Sequence, residues 1–434
     1  MNTHDSEHIA GVLESAGYRR VTSADEATVA IFNTCCVRQG AEDRVWGNLS
    51  TLASRPNGSR TVAVCGCMAQ RYGVDILRRF PGVRLVFGLD SLSRLPELLE
   101  ACITVPTCDL GDINAAAVDG LPAIRPGSLS AWVPVSHGCD NMCAYCVVPS
   151  VRGRERSRTP EDVLEEVSAL ASGGVVEVTL LGQNVNTYGR ELGGGGAAFA
   201  GLLESVAAVS GIRRVKFETS HPRDLGDDIL AVMSGVQEVC EYLHLPVQSG
   251  SDRVLAAMNR GYDRAFYVER ARKAREQVAG VTLSTDIIVG FPGETEQDFE
   301  DTLDLVREVR FDAAYMFLYS PRESTSAFYI DDDVSAEEKR RRFSELESTQ
   351  AGITRESLSK IIGSDVEVLI EGPDRKGERV AGRTREHRVV VLPADEAPVD
   401  SLVKAVVCGA GGHSLRGTVS EIVIGRGAHQ AVEE

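Results

Sequence analysis

Long apolar runs are missing from this chain. No segment approaches the roughly 20 consecutive apolar residues that cross a bilayer, so a membrane-spanning helix and a membrane partner are not expected. Positive charge is also short. Lys and Arg number 46 against 63 Asp and Glu, a formal charge of −17. That excludes generic attraction to polyanions, and any nucleic-acid surface must be local. Met1-Asn2-Thr3-His4-Asp5 has no basic stretch followed by an apolar one, so it does not read as a signal peptide and a cytoplasmic protein is expected. Eleven cysteines in such a chain point to metal ligands or reduced thiols, not to a disulfide framework. Internal repeats and low-complexity tracts are absent; Gly193 to Gly196 is only a loop.

What is present is alternation. At 434 residues the chain is long enough for two or three domains. Ile9, Val12, Leu13 and Ala16 share one face of a helix expected over 5–17, with Asp5 or Ser6 as N-cap. Short β-branched runs follow at 28–32, 61–64 and 84–87, separated by helical patterns, which predicts a doubly wound α/β domain over 1–107. This domain opens on a helix, so its first strand is expected to be missing. Residues 108–130 read as a linker. From 131 strands are expected near 132–136, 176–182, 213–219, 241–246, 283–289 and 313–319, with helices between them. Six such units make an open (β/α)6 barrel whose site forms at the carboxyl ends of the strands. With the charged helix of 335–359 this core runs over 131–357. Residues 358–426 carry strands and turn signals without helix, a small OB-sized β-barrel, and 427–434 are a tail.

Chemistry concentrates in cysteine. Cys139, Cys143 and Cys146 are spaced Cys-x3-Cys-x2-Cys directly after an apolar strand. Zinc in a structural site takes four ligands, and four-iron clusters are usually held by four thiolates. Three thiols without a local fourth suggest a cluster with one iron open to another ligand. Free cysteines in a buried turn, or a zinc site completed from afar, are the plainer alternatives. Cys35 and Cys67 end two strands of the first domain, in the words Asn33-Thr34-Cys35 and Gly66-Cys67-Met68-Ala69-Gln70. Alone they could be ordinary buried thiols.

The Cys139 loop resembles the signature of the radical S-adenosylmethionine (SAM) enzymes, in which SAM chelates the open iron. Over essentially the whole chain the sequence is similar to the methylthiotransferase family of those enzymes. The words that carry the resemblance are the two above, Ser136-His137-Gly138-Cys139-Asp140-Asn141, Gly182-Gln183-Asn184-Val185-Asn186, His244-Leu245-Pro246-Val247-Gln248-Ser249-Gly250-Ser251, Asp286 to Thr295, and Tyr319-Ser320-Pro321-Arg322. The terminal barrel resembles the TRAM RNA-binding domain. The resemblance implies a transferase with two [4Fe-4S] clusters, one on Cys139, Cys143 and Cys146 and an auxiliary one on Cys35 and Cys67. SAM would serve as methyl donor and radical source, and a methylthio group would replace hydrogen on C2 of N6-isopentenyladenosine at position 37 of the tRNA anticodon loop. Sister branches act on threonylcarbamoyladenosine in tRNA or on a ribosomal-protein aspartate. An inactive RNA-binding or cluster-carrying homologue is the alternative of another class.

The family places its first auxiliary cysteine just before a Met-Asn pair leading into Asp-Ser-Glu. Here Met1-Asn2 stands at the start, so that ligand is expected to be lacking. Cys36 and Cys65 are conceivable spares, although strand neighbours point to opposite faces, which disfavours Cys36. For SAM the candidate contacts are Gln183, Asn184, Ser220, Gly290, Gly293 and Glu294; His221 and His244 are the histidines nearest the strand ends, with a hydrogen-bonded core residue as the alternative to a catalytic one for each. Two local basic patches are candidates for RNA: Arg152, Arg154, Arg156 and Arg158, and Arg375, Lys376, Arg379, Arg383, Arg385 and Arg388. A solvated charged face is the alternative for each. A monomer is expected; the electron and sulfur donors stay open.

Overall fold

The computed structural model describes residues 1–23, 26–36, 39–53, 60–113, 121, 123, 128–193, 198–374 and 376–425. The expected tail, most of the expected linker and Arg375 lie outside the described residues. The chain divides into two compact units. The first comprises Met1–Pro126, His137–Arg156 and Arg322–Thr325; the second comprises Gly127–Ser136, Ser157–Pro321 and Ser326–Glu434.

In the first unit helix α1 (Asn2–Ser15) precedes β1 (Val29–Thr34), α2 (Gln39–Ala53), β2 (Thr61–Gly66), α3 (Cys67–Tyr72), α4 (Val74–Arg79), β3 (Val83–Phe87), α5 (Leu95–Thr104) and β4 (Thr107–Asp109). The strands form a parallel sheet in the order β1-β2-β3-β4. Period-2 alternation divides its faces. Ala63, Cys65, Leu85 and Phe87 pack with Ile9 and Val12 of α1, while Val62, Val64, Val83 and Val86 pack with Leu49 and Ile76. Two expectations are corrected. Helix α1 starts three residues earlier than expected, with Met1 at its N-cap, and Asp5 is a fully buried residue inside it. Strand β4 lies where the linker was expected, because three residues between turn signals carry too little periodicity to read. Helix α6 (Val148–Arg152) also belongs to this unit.

In the second unit parallel strands alternate with helices. They are β5 (Ser130–Pro134), β8 (Glu177–Leu181), β9 (Arg214–Phe217), β10 (Tyr242–His244), β11 (Thr282–Val289) and β12 (Ala313–Leu318). Two-residue strands β6 (Ser136–His137) and β7 (Arg156–Ser157) bracket the cysteine loop in sequence. The intervening helices are α7 (Pro160–Ser172), α8 (Ala198–Ala207), α9 (Asp227–Gly235), α10 (Asp252–Ala257), α11 (Arg264–Gln277) and α12 (Glu296–Val309). The strands run β5-β8-β9 and β10-β11-β12, joined by a parallel bridge between Val215 and Val239, and make the open barrel. Thr159 caps α7, and Thr295 with Asp298 forms a capping box on α12. One face of β5, β8, β9, β10 and β11 packs under the helices through Val133, Val178, Val215, Phe217, Leu243, Leu283 and Ile287. The other face is polar and looks into the barrel interior. It carries Glu177, Arg214, Lys216, Tyr242, His244, Ser284, Asp286 and Tyr315.

Helix α13 (Ala336–Ser359) leads to a closed five-stranded barrel, β13 (Asp365–Pro373), β14 (Arg379–Thr384), β15 (Val389–Pro393), β16 (Leu402–Ala410) and β17 (Leu415–Ile424), ordered β13-β14-β15-β17-β16. Strands were expected here at 366–370, 388–392 and 402–407; β14 and β17 escaped that reading, since glycine and charged residues break their apolar pattern. The turn between β14 and β15 reaches the amino ends of the open barrel's strands. Lys216 Nζ donates to Thr384 O at 3.3 Å, Arg214 donates to Arg383 O at 3.2 Å, and Thr282 Oγ1 donates to Glu386 O at 2.6 Å. His387 stacks on Tyr242 with ring centroids 4.3 Å apart.

Candidate active site

The cysteine loop of the first unit has no regular structure between Asp140 and Cys146. Its backbone is pinned at both ends: Cys139 N–H donates to Gly153 O at 3.1 Å and Cys146 N–H to Cys143 O at 3.0 Å. Gly138 has φ +69, and a Cβ there would strike the Arg154 carbonyl, so this entry into the loop requires glycine. Cys139 is buried, and burial pushes its thiol up to about 11; Cys143 and Cys146 are half-buried. Among the described residues no three His, Cys, Asp or Glu side chains converge on one point as a single ion demands. A four-iron cube takes one thiolate per iron and does not require such convergence. Three reduced thiols on one short loop, free of disulfides, fit it.

The second set is more tightly built. Cys67 follows Gly66, which has φ +83, and begins α3; the turn brings its thiol against that of Cys36. Both cysteines pack with Met68, Val147 and Val151. Cys36 lies two residues beyond the end of β1, so the strand alternation that disfavoured it does not govern it, and its thiol meets that of Cys67. Cys65 faces the α1 side of the sheet, and burial raises its thiol well above its ordinary value. Cys35 is half-buried. The hydrogen bond from Cys36, with the Arg152 guanidinium beyond it, pulls the Cys67 thiol down to about 6 against the cost of burial. Arg152 is fixed by Asp5 at 2.8 Å. The other carboxylate oxygen of Asp5 is buried without a hydrogen-bond partner.

The two cysteine sets are neighbours within this unit. Val147, the residue after Cys146, and Val151 touch the Cys36–Cys67 pair, and Arg152 ties the same segment to Asp5 and Cys67. Nothing in the sequence marked Arg152 as the buried cation of this site. A concavity beside them is lined by Asp5, Gly66, Gln70, Asp90, His137 and Arg156. Burial lifts the Asp90 carboxyl there to about 6.

In the second unit the expected SAM contacts fall at or just past the strand ends. Asn184 donates to Asp224 at 2.8 Å, yet its carbonyl oxygen is buried without a partner; the Ser220 and Ser136 hydroxyls are in the same state. Orphaned buried polar atoms are rare and call for a ligand or water, so these residues fit a polar cofactor. Gln183 is half-buried. Gly290 (φ +74) leaves no room for a Cβ beside Lys339. Its N–H donates to Glu294, whose carboxylate also takes Arg342 at 2.9 Å. Gly293 N–H donates to Asp333 at 2.7 Å. Glu294 and Gly293 thus brace a turn from within. His221 accepts from Arg223 N–H, packs on Tyr262, and is pushed down to about 3 by burial, which keeps it neutral.

Most arginines of the basic patches have carboxylate partners within the protein. Arg152 is engaged with Asp5, Arg154 with Asp140 and Arg158 with Glu166 at 2.6 Å. In the terminal barrel Arg383 pairs with Glu371, Arg388 with Asp312, and Arg385 with both carboxylate oxygens of Glu241 at 3.0 Å. Sequence counted these cations; the fold shows that Arg152, Arg158, Arg385 and Arg388 are largely enclosed with their carboxylates, whereas Arg154 stays on the surface beside Asp140. Lys376 and Arg379 are exposed.

Residues 133–306 match the Radical SAM superfamily and residues 1–88 the uncharacterized protein family UPF0004. The tRNA-2-methylthio-N(6)-dimethylallyladenosine synthase of Acetivibrio thermocellus is 44% identical, covering 96% of this chain and 88% of that protein. The enzyme of the same name from Moorella thermoacetica is 44% identical over 96% of this chain and 95% of its own length. Among solved structures, the radical S-adenosylmethionine methyltransferase TsrM of Kitasatospora setae covers 73% of this chain and 68% of its own, with a TM-score of 0.50 and 13% identity, a likeness of fold alone.

Proposed function

Because the chain belongs to the tRNA-2-methylthio-N(6)-dimethylallyladenosine synthase family of radical-SAM enzymes, we propose that it methylthiolates C2 of N6-isopentenyladenosine at position 37 of tRNA, in the cytoplasm. Cys139, Cys143 and Cys146 hold the catalytic [4Fe-4S] cluster. Cys35 and Cys67, with the Cys36 thiol against Cys67, serve an auxiliary one. When bound, the clusters and SAM would pass on an electron from an external reductant and supply the hydrogen-abstracting radical and the methylthio group.

The chain's own residues bind and shield. The observation that supports the reading is the packing of Val147 and Val151 against Cys36 and Cys67, which sets both thiol sets in one apolar neighbourhood. Exclusion of water protects reactive intermediates there. Arg152 holds positive charge next to the Cys67 thiolate, while Asp5 fixes the guanidinium. Asn184, Ser220 and the backbone around Gly290 offer polar atoms for SAM, with Gln183 beside them. A host lacking the gene tests the function: its tRNA should accumulate isopentenyladenosine and lose the methylthio derivative, read by nucleoside mass spectrometry. Unchanged methylthio-isopentenyladenosine would refute it.

A further inference from the structure

One lumen-facing carboxyl has no partner. Glu218 directly follows β9, on the face that Arg214 and Lys216 share. It is half-buried, and no hydrogen bond or ion pair reaches its carboxyl among the described residues. A half-buried carboxyl without an internal partner is left open to a ligand. Its electrostatic neighbours include His244, bonded to Ser284 at 2.8 Å, and Asp286, 3.6 Å from His244. Tyr315, cross-strand partner of Asp286 and 41% exposed, packs edge-on against His244 with ring centroids 5.8 Å apart. The next cross-strand pair towards the carboxyl ends on this face is apolar, Ile288 with Phe317. A polar ledge thus adjoins an apolar wall inside the open barrel.

Resting on the function proposed above, the substrate is a base with one polar edge and one apolar arm. Reaction at C2 requires the side between N1 and N3 to stay open, so the base must be held from its other side. With the prenyl carbon turned toward N1, the remaining N6–H lies beside N7, a donor next to an acceptor. Asn and Gln read the same pair in DNA. We propose that Glu218 reads the substrate adenine from this edge as a neutral carboxylic acid, accepting from N6–H and donating to N7, with the prenyl arm against Ile288 and Phe317. Burial raises the carboxyl above its usual range while His244, Lys216 and Arg383 oppose the shift; a bound base would take away its remaining water, which disfavours the charged form further. The adenine of SAM carries no alkyl arm and matches the apolar wall less well.

The test uses reconstituted full-length protein and two anticodon stem-loop RNAs, one with N6-isopentenyladenosine and one with its 7-deaza analogue, which lacks the N7 acceptor. Methylthiolation and RNA-free SAM cleavage are both measured. The parent should favour the N7-bearing RNA about tenfold, equivalent to about 1.4 kcal/mol. Glu218→Ala should lose that preference, raise KM for RNA, and lower methylthiolation at least tenfold further than SAM cleavage. Glu218→Gln, which carries a donor and an acceptor, should keep the preference, and it serves where the alanine variant does not fold. Equal use of both RNAs by the parent overturns the inference. So does a Glu218→Ala variant that still discriminates, or one whose SAM cleavage falls as far as its methylthiolation, which would put the carboxyl on SAM. A parent that cleaves SAM but modifies neither RNA overturns the function reading, and this inference with it.

Discussion

Two of the protein's enclosed arginines serve different ends. In the first unit a lone guanidinium, Arg152, stands between Asp5 and the Cys67 thiol. In the second unit Arg214 and Lys216 share Glu177 at 2.9 Å each, and the β14–β15 turn covers them with backbone carbonyls. The second set is balanced by carboxylates and carbonyls and shapes the base of the open barrel. The first is balanced partly by a thiol, a group that can be given up to a metal. A buried cation facing a thiol therefore marks chemistry, whereas one facing carboxylates marks architecture.

The contrast breaks most completely at the thiols. Replacing Cys139, Cys143 and Cys146 together with alanine should abolish SAM cleavage after anaerobic reconstitution, since no thiolate cage is left. 5′-Deoxyadenosine formed at the parent rate would sink the assignment. Next comes Arg152→Met, which strands Asp5 as a buried unpaired charge. It should cost about 3–5 kcal/mol of stability, read as a lower melting temperature, and bound iron should drop. Adding Asp5→Asn should restore much of the stability but not the iron. If single and double variants melt alike, the pair is not coupled.

On the architectural side Arg385→Ala should cost about 1–3 kcal/mol by releasing the buried side of Glu241 and two backbone carbonyls. It should leave the salt dependence of tRNA binding unchanged; a flatter salt slope would return Arg385 to the RNA surface. The smallest effect is in pH. Burial pushes His387 down to about 2, against about 6.5 when unfolded. The unfolded chain alone takes the proton between those values, so this group's contribution falls as pH drops below about 6.5, by about 1.4 kcal/mol per unit. His387→Asn, which tolerates the φ of +64, should flatten the acid limb of a melting-temperature profile. An unchanged limb would refute it.

The legible and illegible parts divide along the same line. Strand positions in the open barrel could be read because β-branched runs and turn signals recur there, and the triad because its spacing is local. The terminal barrel's β14 and β17 could not, since Gly382 and Gly417 interrupt them where backbone or side chains from neighbouring strands approach closely. The Cys36–Cys67 contact, the Arg152–Asp5 pair and the engagement of Arg385 are tertiary facts. Each joins residues more than thirty positions apart, and no local pattern encodes them. Charge counting is blind to such pairs for that reason: a run of arginines reads alike whether it faces RNA or a buried carboxylate.

The most direct measurement of the central claim is mass spectrometry of nucleosides from isopentenyladenosine-containing tRNA incubated anaerobically with the reconstituted protein, SAM, sulfide and a reductant. The expected product is 2-methylthio-N6-isopentenyladenosine, absent when Cys35 and Cys67 are both replaced by alanine although SAM is still cleaved. Undiminished product from that double variant, or SAM cleavage by the parent without any methylthiolated base, would contradict a second thiol-held cluster beside the first.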